Sequence, residues 1–367
     1  MAEQIRIGVI GTGQIGKNHL KAYAKISDAK IVAVADINGD EAHKVAAEYK
    51  IPNVLSDFRK LLKMGEIDAV DVCLHNNFHA PVSIEALNAG KDVYCEKPMA
   101  GSYFDARAMH EMAKSTGKKL HIQLSTLYTN EHKTAQRLID SGQLGKLYYA
   151  RSYGFRRRGR PYVDGYGTPA FVKKEIAAGG ALFDMGIYHI AEVLHLLGNP
   201  AVETVSGTTH QEIPMYEERA KISGYSVEEL GLGFVRLSGG ITLSIEESWA
   251  MHYDGSESSK ILGSKGGIKL SPFMFFSSAG DVELASTADL DKADFRWHSC
   301  EPNYNAYDSS QQHWVAALQG RVPLIDTAGI ALNVALISEG IFRSQIQRKE
   351  VGATEIAETS KSSAVKV

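Results

Sequence analysis

Hydrophobic and polar positions fall into two textures along this chain. Up to about residue 124, short apolar runs rich in β-branched residues recur near 5–10, 30–35, 69–74, 92–95 and 119–124. Helix-like stretches lie between them, among them 14–26, 41–49, 81–88 and 103–116. Apolar strands alternating with helices through short joints predict a parallel, doubly wound sheet. Ligands on such a sheet bind at the carboxyl ends of its strands. That rule gathers residues 11–16, Asp36, 75–79, 96–98 and those after Ile122 along one rim.

A helical stretch at 131–140 and a Gly-containing joint at 141–145 lead into the second texture. Ile241, Leu243, Ile245 and Trp249 alternate with Thr242, Ser244, Glu246 and Ser248, a period of two with Glu247 as its polar interruption. Further strands are expected at 202–208, 230–237, 260–263 and 282–285, and a helix near 328–347. Strands that follow one another predict an α+β domain built on a large, mostly antiparallel open sheet. The chain therefore reads as α/β in three parts. Residues 1–125 form a nucleotide-binding domain, 126–350 a substrate-binding and oligomerisation domain, and 351–367 a polar tail, of which 354–367 is expected to fray.

Composition narrows the classes. A chain of 367 residues is long enough for two domains, and 44% apolar with 23% charged residues describes an ordinary globular protein. A net charge of −3 gives no general attraction to nucleic acid or anionic membrane. No secretory leader and no run long enough for a membrane span is visible. Cys73, Cys95 and Cys300 have neither disulfide nor zinc spacing, so no metal is expected, the first two should be buried, and a cytoplasmic setting fits.

The strongest local signal is the apolar strand 5–10 breaking into Gly11-Thr12-Gly13-Gln14-Ile15-Gly16. In a G-x-G-x-x-G turn the first glycine allows the tight bend, the second admits a pyrophosphate, and the third lets helix and strand pack. The helix opening at Gln14 and Ile15 presents free N–H groups and a positive dipole end. Asp36 closes the next strand at the spacing of an acid that binds the ribose 2′-hydroxyl. These features predict a Rossmann sheet. They also favour NAD over NADP, because Asp36 repels a 2′-phosphate and residues 37–39 supply no arginine.

Glu96-Lys97-Pro98 places a lysine at the end of a rim strand, where a desolvated amine can act as a base or polarise a hydroxyl. Together with the glycine turn and the run 179–188, Gly179-Gly180-Ala181-Leu182-Phe183-Asp184-Met185-Gly186-Ile187-Tyr188, the chain resembles the Gfo/Idh/MocA oxidoreductases. The resemblance spans residues 5–350. It implies a two-domain NAD-dependent enzyme acting on a sugar, an inositol or a glycoside, with a glycoside 3-dehydrogenase branch suggested by the arginine-rich strand. It also implies homo-oligomers built through the second sheet.

The resemblance assigns Asp184 to orient the sugar beside Lys97, although Asp before a helix also serves as an N-cap. Tyr188 stands where the family usually carries its proton-handling histidine, and His189 follows directly. A regular helix starting by Asp184 would keep Tyr188 on the same face and turn His189 away. Residues 75–79 resemble a cofactor-covering loop, which adds His75, Asn76 and His79 to a cofactor set that also includes Glu96 and Lys97; for His79 a purely local role is the alternative. Arg156 and Arg158 share one face of a strand end, and with Tyr162 they could contact a polyhydroxylated ligand. His313 and Trp314 read as packing residues. Two other functions use the same residues: a glycosidase or lyase that retains NAD through a transient oxidation, and a non-catalytic sensor of sugar or NAD.

Overall fold

The computed structural model describes residues 4–367. Six parallel strands make the first sheet: β1 (Ile5–Ile10), β2 (Ala29–Ala35), β3 (Asn53–Leu55), β4 (Ala69–Val72), β5 (Asp92–Cys95) and β6 (Leu120–Ile122). Their order is β3-β2-β1-β4-β5-β6, so the winding reverses between β1 and β4. Dinucleotides bind at that reversal in sheets of this kind. Helices cover both faces, which is why Ile7, Val9, Val34, Val70 and Val93 are all fully buried. The apolar pattern does not reveal β3, because three half-buried residues on a sheet edge are too few to show a period.

Nine strands make the second sheet. They are β7 (Leu147–Phe155), β8 (Val202–His210), β9 (Leu230–Leu237), β10 (Ile241–Ser248) and β11 (Lys260–Gly263), followed by β12 (Gly266–Lys269), β13 (Met274–Ala279), β14 (Val282–Ser286) and β15 (Val351–Gly352). The order is β14-β13-β12-β11-β7-β10-β9-β8-β15. Only β7 and β10 run parallel; the other neighbours are antiparallel. Ala150, Val235, Leu243, Ile261 and Ile268 lie side by side on one face and are buried. The opposite face carries Arg151, Phe234, Lys260 and Phe276.

The helix Thr327–Gln347 packs on β8 and also on the helix Tyr103–Thr116 of the first sheet. At its start the Thr327 hydroxyl accepts from the Ile122 N–H at 2.8 Å, which locks the two layers together. The tail departs from the expected fraying. Val351–Gly352 adds a strand to β8, and Ala353–Thr359 is helical. Ser362 and the Ser363 and Ala364 amides then donate to Asp105, so polar residues are held by a buried acid. Among the described residues no helix is long and apolar enough to cross a membrane.

Candidate active site

The glycine turn behaves as its spacing requires. Gly11 takes φ +96°, and a Cβ there would strike the Cys73 carbonyl. At Gly13 no atom lies within 4 Å of the Cβ position, so the backbone faces open space. The helix Gln14–Tyr23 begins there without a side-chain cap, leaving its first N–H groups for an anion, with Gln14 and Ile15 exposed on the opening turn. Asp36 is fastened beside it. Its Oδ2 accepts from the Thr12 N–H at 2.7 Å and the Thr12 hydroxyl at 3.0 Å, and Oδ1 accepts from the Asn38 N–H at 2.9 Å. An anion cradle with a fixed carboxylate one strand away fits the pyrophosphate and adenosine ribose of NAD.

The rim beyond β4 and β5 turns two of the expected cofactor residues inward. His79 is fully buried, with Nδ1 2.7 Å from the Pro98 carbonyl and Nε2 3.0 Å from the Leu74 carbonyl, which is the local role. Glu96 also turns inward. Its Oε1 lies 2.8 Å from His19 Nε2, and its Oε2 accepts from the Lys97 N–H at 2.9 Å. Asn76 spends its amide on the Ala177 carbonyl at 2.8 Å, joining the rim to the loop of the second layer. His75 stays exposed, its ring edge-on to Phe171 at 6.0 Å.

Lys97 and Asp184 form the centre. Nζ donates to Asp184 Oδ1 at 2.9 Å and to the Asp184 carbonyl at 3.0 Å. The other oxygen, Oδ2, accepts from Trp249 Nε1 at 3.1 Å and lies 3.7 Å from Arg156. Burial lowers the Lys97 pKa, but Asp184, Tyr188 and Glu96 together outweigh burial and hold it well above its ordinary value. Burial raises Asp184, and Lys97, Arg156 and Trp249 together outweigh that in turn, so the pair is ionic.

Asp184 is not an N-cap. It lies within a π-turn, Leu182–Gly186, inside a helix that continues as Ile187–Leu196. Glu228 holds the start of this helix by accepting from the Gly180 and Leu182 N–H groups at 2.8 and 3.0 Å. Burial pushes the Glu228 carboxyl up to about 7. Beyond the wide turn, Tyr188 and His189 take different partners. The Tyr188 ring lies 4.9 Å from Lys97 Nζ, and burial raises its phenol pKa. His189 packs toward the sheet, with Nδ1 2.8 Å from Glu247 Oε2, while Glu247 Oε1 accepts from the Ser152 hydroxyl at 2.6 Å.

The arginine loop divides. Arg156 bonds the Tyr166 hydroxyl beside Asp184. Arg158 instead points to solvent, 63% exposed and 3.4 Å from Asp164. Tyr162 serves the turn itself: it has φ +62°, and its N–H donates to the Tyr166 carbonyl. Tyr166 thus occupies the place expected of Tyr162. Arg160 anchors the loop from below, wholly buried against Asp164 at 2.8 Å and Glu229 at 2.9 Å. Sequence reasoning missed Trp249, Glu228 and Glu247 as site residues, although Glu247 was visible as the one acid on the apolar side of its strand.

A dinucleotide cradle opening toward a half-buried lysine–carboxylate pair between two sheets defines an NAD-binding oxidoreductase. The chain belongs to the Gfo/Idh/MocA family. Residues 5–124 match the model described as "Oxidoreductase family, NAD-binding Rossmann fold", and residues 132–269 match "GFO/IDH/MocA C-terminal domain". The chain is 30% identical over 302 residues to D-glucoside 3-dehydrogenase of Escherichia coli K12, covering 80% of this chain and 84% of that one. It is 26% identical over 351 residues to the NAD(+)-dependent scyllo-inositol 2-dehydrogenase of Bacillus subtilis 168, covering 94% and 96%. A solved levoglucosan dehydrogenase with NADH and levoglucosan superposes with a TM-score of 0.79 at 21% identity, covering 96% and 100% of the two chains. At that identity the likeness shows the fold.

Proposed function

We propose that this enzyme oxidises one carbinol of a sugar, inositol or glycoside to a ketone, with C3 of a glucoside the favoured position. The observation that carries the proposal is the 2.9 Å contact between Lys97 and Asp184 beside the cofactor rim. Bound NAD supplies the hydride acceptor. The glycine turn and Asp36 hold its pyrophosphate and ribose, while Asp184, Arg156 and Tyr166 offer polar groups and a ring face to a polyol.

A substrate hydroxyl inserting between Lys97 and Asp184 replaces a contact that helps keep the ammonium charged. With that contact loosened, burial favours the neutral amine while Tyr188 and Glu96 still oppose it, and Lys97 takes the carbinol proton only once it has released its own. Tyr188 lies against the same amine as a second proton-handling group. Orientation is the larger contribution, because hydride transfer needs a near-attack geometry.

The same reading includes a cytoplasmic homo-oligomer. Supporting it are the buried free thiols of Cys73 and Cys95 and the uncovered sheet face, where Phe234 is 42% exposed.

A screen of methyl glucosides, free sugars and inositols tests the function, following NADH absorbance and product structure together. Stoichiometric NADH and a keto-sugar are expected. Glycoside cleavage without net NADH would replace the dehydrogenase with a transient oxidation, and sugar binding without either would leave a sensor.

A further inference from the structure

Beneath the glycine turn lies a charged cluster that catalysis as described above does not use. His19, in the helix that opens at the cofactor cradle, is buried. Its Nδ1 lies 2.8 Å from Asp71 Oδ2 and its Nε2 lies 2.8 Å from Glu96 Oε1. Asp71, on β4, is fully buried, and Glu96 follows β5 with its second oxygen on the Lys97 N–H. One imidazole thus joins the cofactor helix, β4 and the turn that carries the lysine.

Hydrogen-bond accounting sets its charge. An ionised carboxylate only accepts, and a neutral imidazole donates once. A neutral ring would therefore press a lone pair against a carboxylate at one end, out of reach of water. With both nitrogens protonated, each contact is a charge-assisted bond. Burial opposes the charge on His19, and Asp71 together with Cys73 more than offsets it; His19 in turn holds Glu96 low against burial.

The other groups facing the ring stay neutral. Cys73 lies 3.3 Å from Nδ1, Tyr94 packs edge-on at 5.6 Å, and Tyr23 sits on the same helix; burial pushes all three up. His19, Asp71 and Cys73 bring ligand-type atoms within 4.8 Å of one another. With both ring nitrogens engaged by carboxylates, the contacts present are those of an ion cluster.

We propose that His19 is a positioning residue: a standing imidazolium that ties the cofactor-facing helix to the Glu96–Lys97 turn and so fixes Lys97 relative to bound NAD. The proposal rests on the reading of Lys97 as the group that meets the carbinol. Losing the cation would leave two buried carboxylates without their shared partner, and the lysine turn would shift. Misplacement on the ångström scale can cost about 10²-fold in rate.

The test has two independent parts. In NAD-free protein with ¹⁵N-labelled histidine, both His19 ring nitrogens should still carry the protonated signature at pH values well above the ordinary imidazole value of ~6.5. The signal is assigned by its loss in His19→Gln, where the Lys97 amide should also shift. A neutral ring at those pH values overturns the proposal, whatever sugar the enzyme uses. In turnover, His19→Gln should lower kcat about tenfold or more while the Kd for NAD stays within about threefold. The loss should also be non-additive with that of Glu96→Gln. Additive losses, or a weakened NAD affinity equal to the loss in kcat, would mean a general structural role and sink the idea. Failure of every polyol to reduce NAD would instead sink the proposed function and leave the ring spectrum to decide this one.

Discussion

Lys97 and Asp184 stand 87 positions apart in sequence and meet at 2.9 Å, the lysine from the end of β5 and the acid from a π-turn above the second sheet. Each helps hold the other charged against burial. Neither sheet could form this pair alone. The site therefore depends on the layers being locked by Thr327, by Asn76 and by the C-terminal segment on Asp105.

Cofactor choice follows from Asp36. Its carboxylate is fixed by Thr12 and Asn38 and has no cation in residues 37–39 to receive a 2′-phosphate. kcat/KM should be higher with NAD than with NADP. Asp36→Ala should narrow the gap only modestly, since it removes repulsion without adding a cation. A wild-type preference for NADP would contradict this role of Asp36.

Glu247 and His189 should give a pH-dependent part of the stability. Burial lowers His189, but Glu247 and Glu192 together outweigh it and raise the folded-state value, with Arg156 opposing. A group raised in this way contributes fully below the unfolded value of ~6.5, and the contribution is lost as pH rises through the folded value. The urea midpoint of Glu247→Gln should fall short of wild type most at about pH 6 and least at alkaline pH. A pH-independent difference would show that the pair carries no net charge interaction.

Tyr188 is the nearer partner of Lys97, whereas His189 is engaged with the sheet through Glu247. Tyr188→Phe keeps the ring against the ammonium and removes only the hydroxyl. It should lower kcat more than His189→Ala does, measured with one sugar at several pH values. The reverse order would move proton handling to His189.

Arg160 holds the loop that presents Arg156 and Tyr166. Arg160→Met would strand Asp164 and Glu229, each only 2% exposed in its side chain. Losing one partner of such a buried network costs about 3–5 kcal/mol. Denaturant unfolding should show that loss, with a raised KM for sugar. A loss under about 1 kcal/mol would mean the loop relaxes to solvate the acids.

Much of this was legible before folding. Gly11, Gly13, Asp36 and Lys97 announce themselves because β-strand ends and turn glycines are local signals. Repetition of strand and helix gave the parallel sheet for the same reason. What stayed hidden depends on contacts between distant segments. His79 and Glu96 carry polar groups at rim positions, but only the folded chain shows that Pro98, Leu74 and His19 occupy them. Trp249 reads as a strand residue, and only the passage of Asp184 above β10 brings its N–H to the site. The tail reads as frayed because Ser362 and Ser363 are polar and small; their partner, Asp105, lies 257 and 258 residues earlier.

The most direct measurement is turnover by Lys97→Ala, with NAD affinity and unfolding recorded on the same protein. Catalysis by this lysine predicts a folded variant that binds NAD normally and loses about 10²-fold or more in kcat, the usual range for lost acid–base assistance. A folded, NAD-binding Lys97→Ala enzyme that oxidises its sugar at a near-normal rate would contradict the account at its centre.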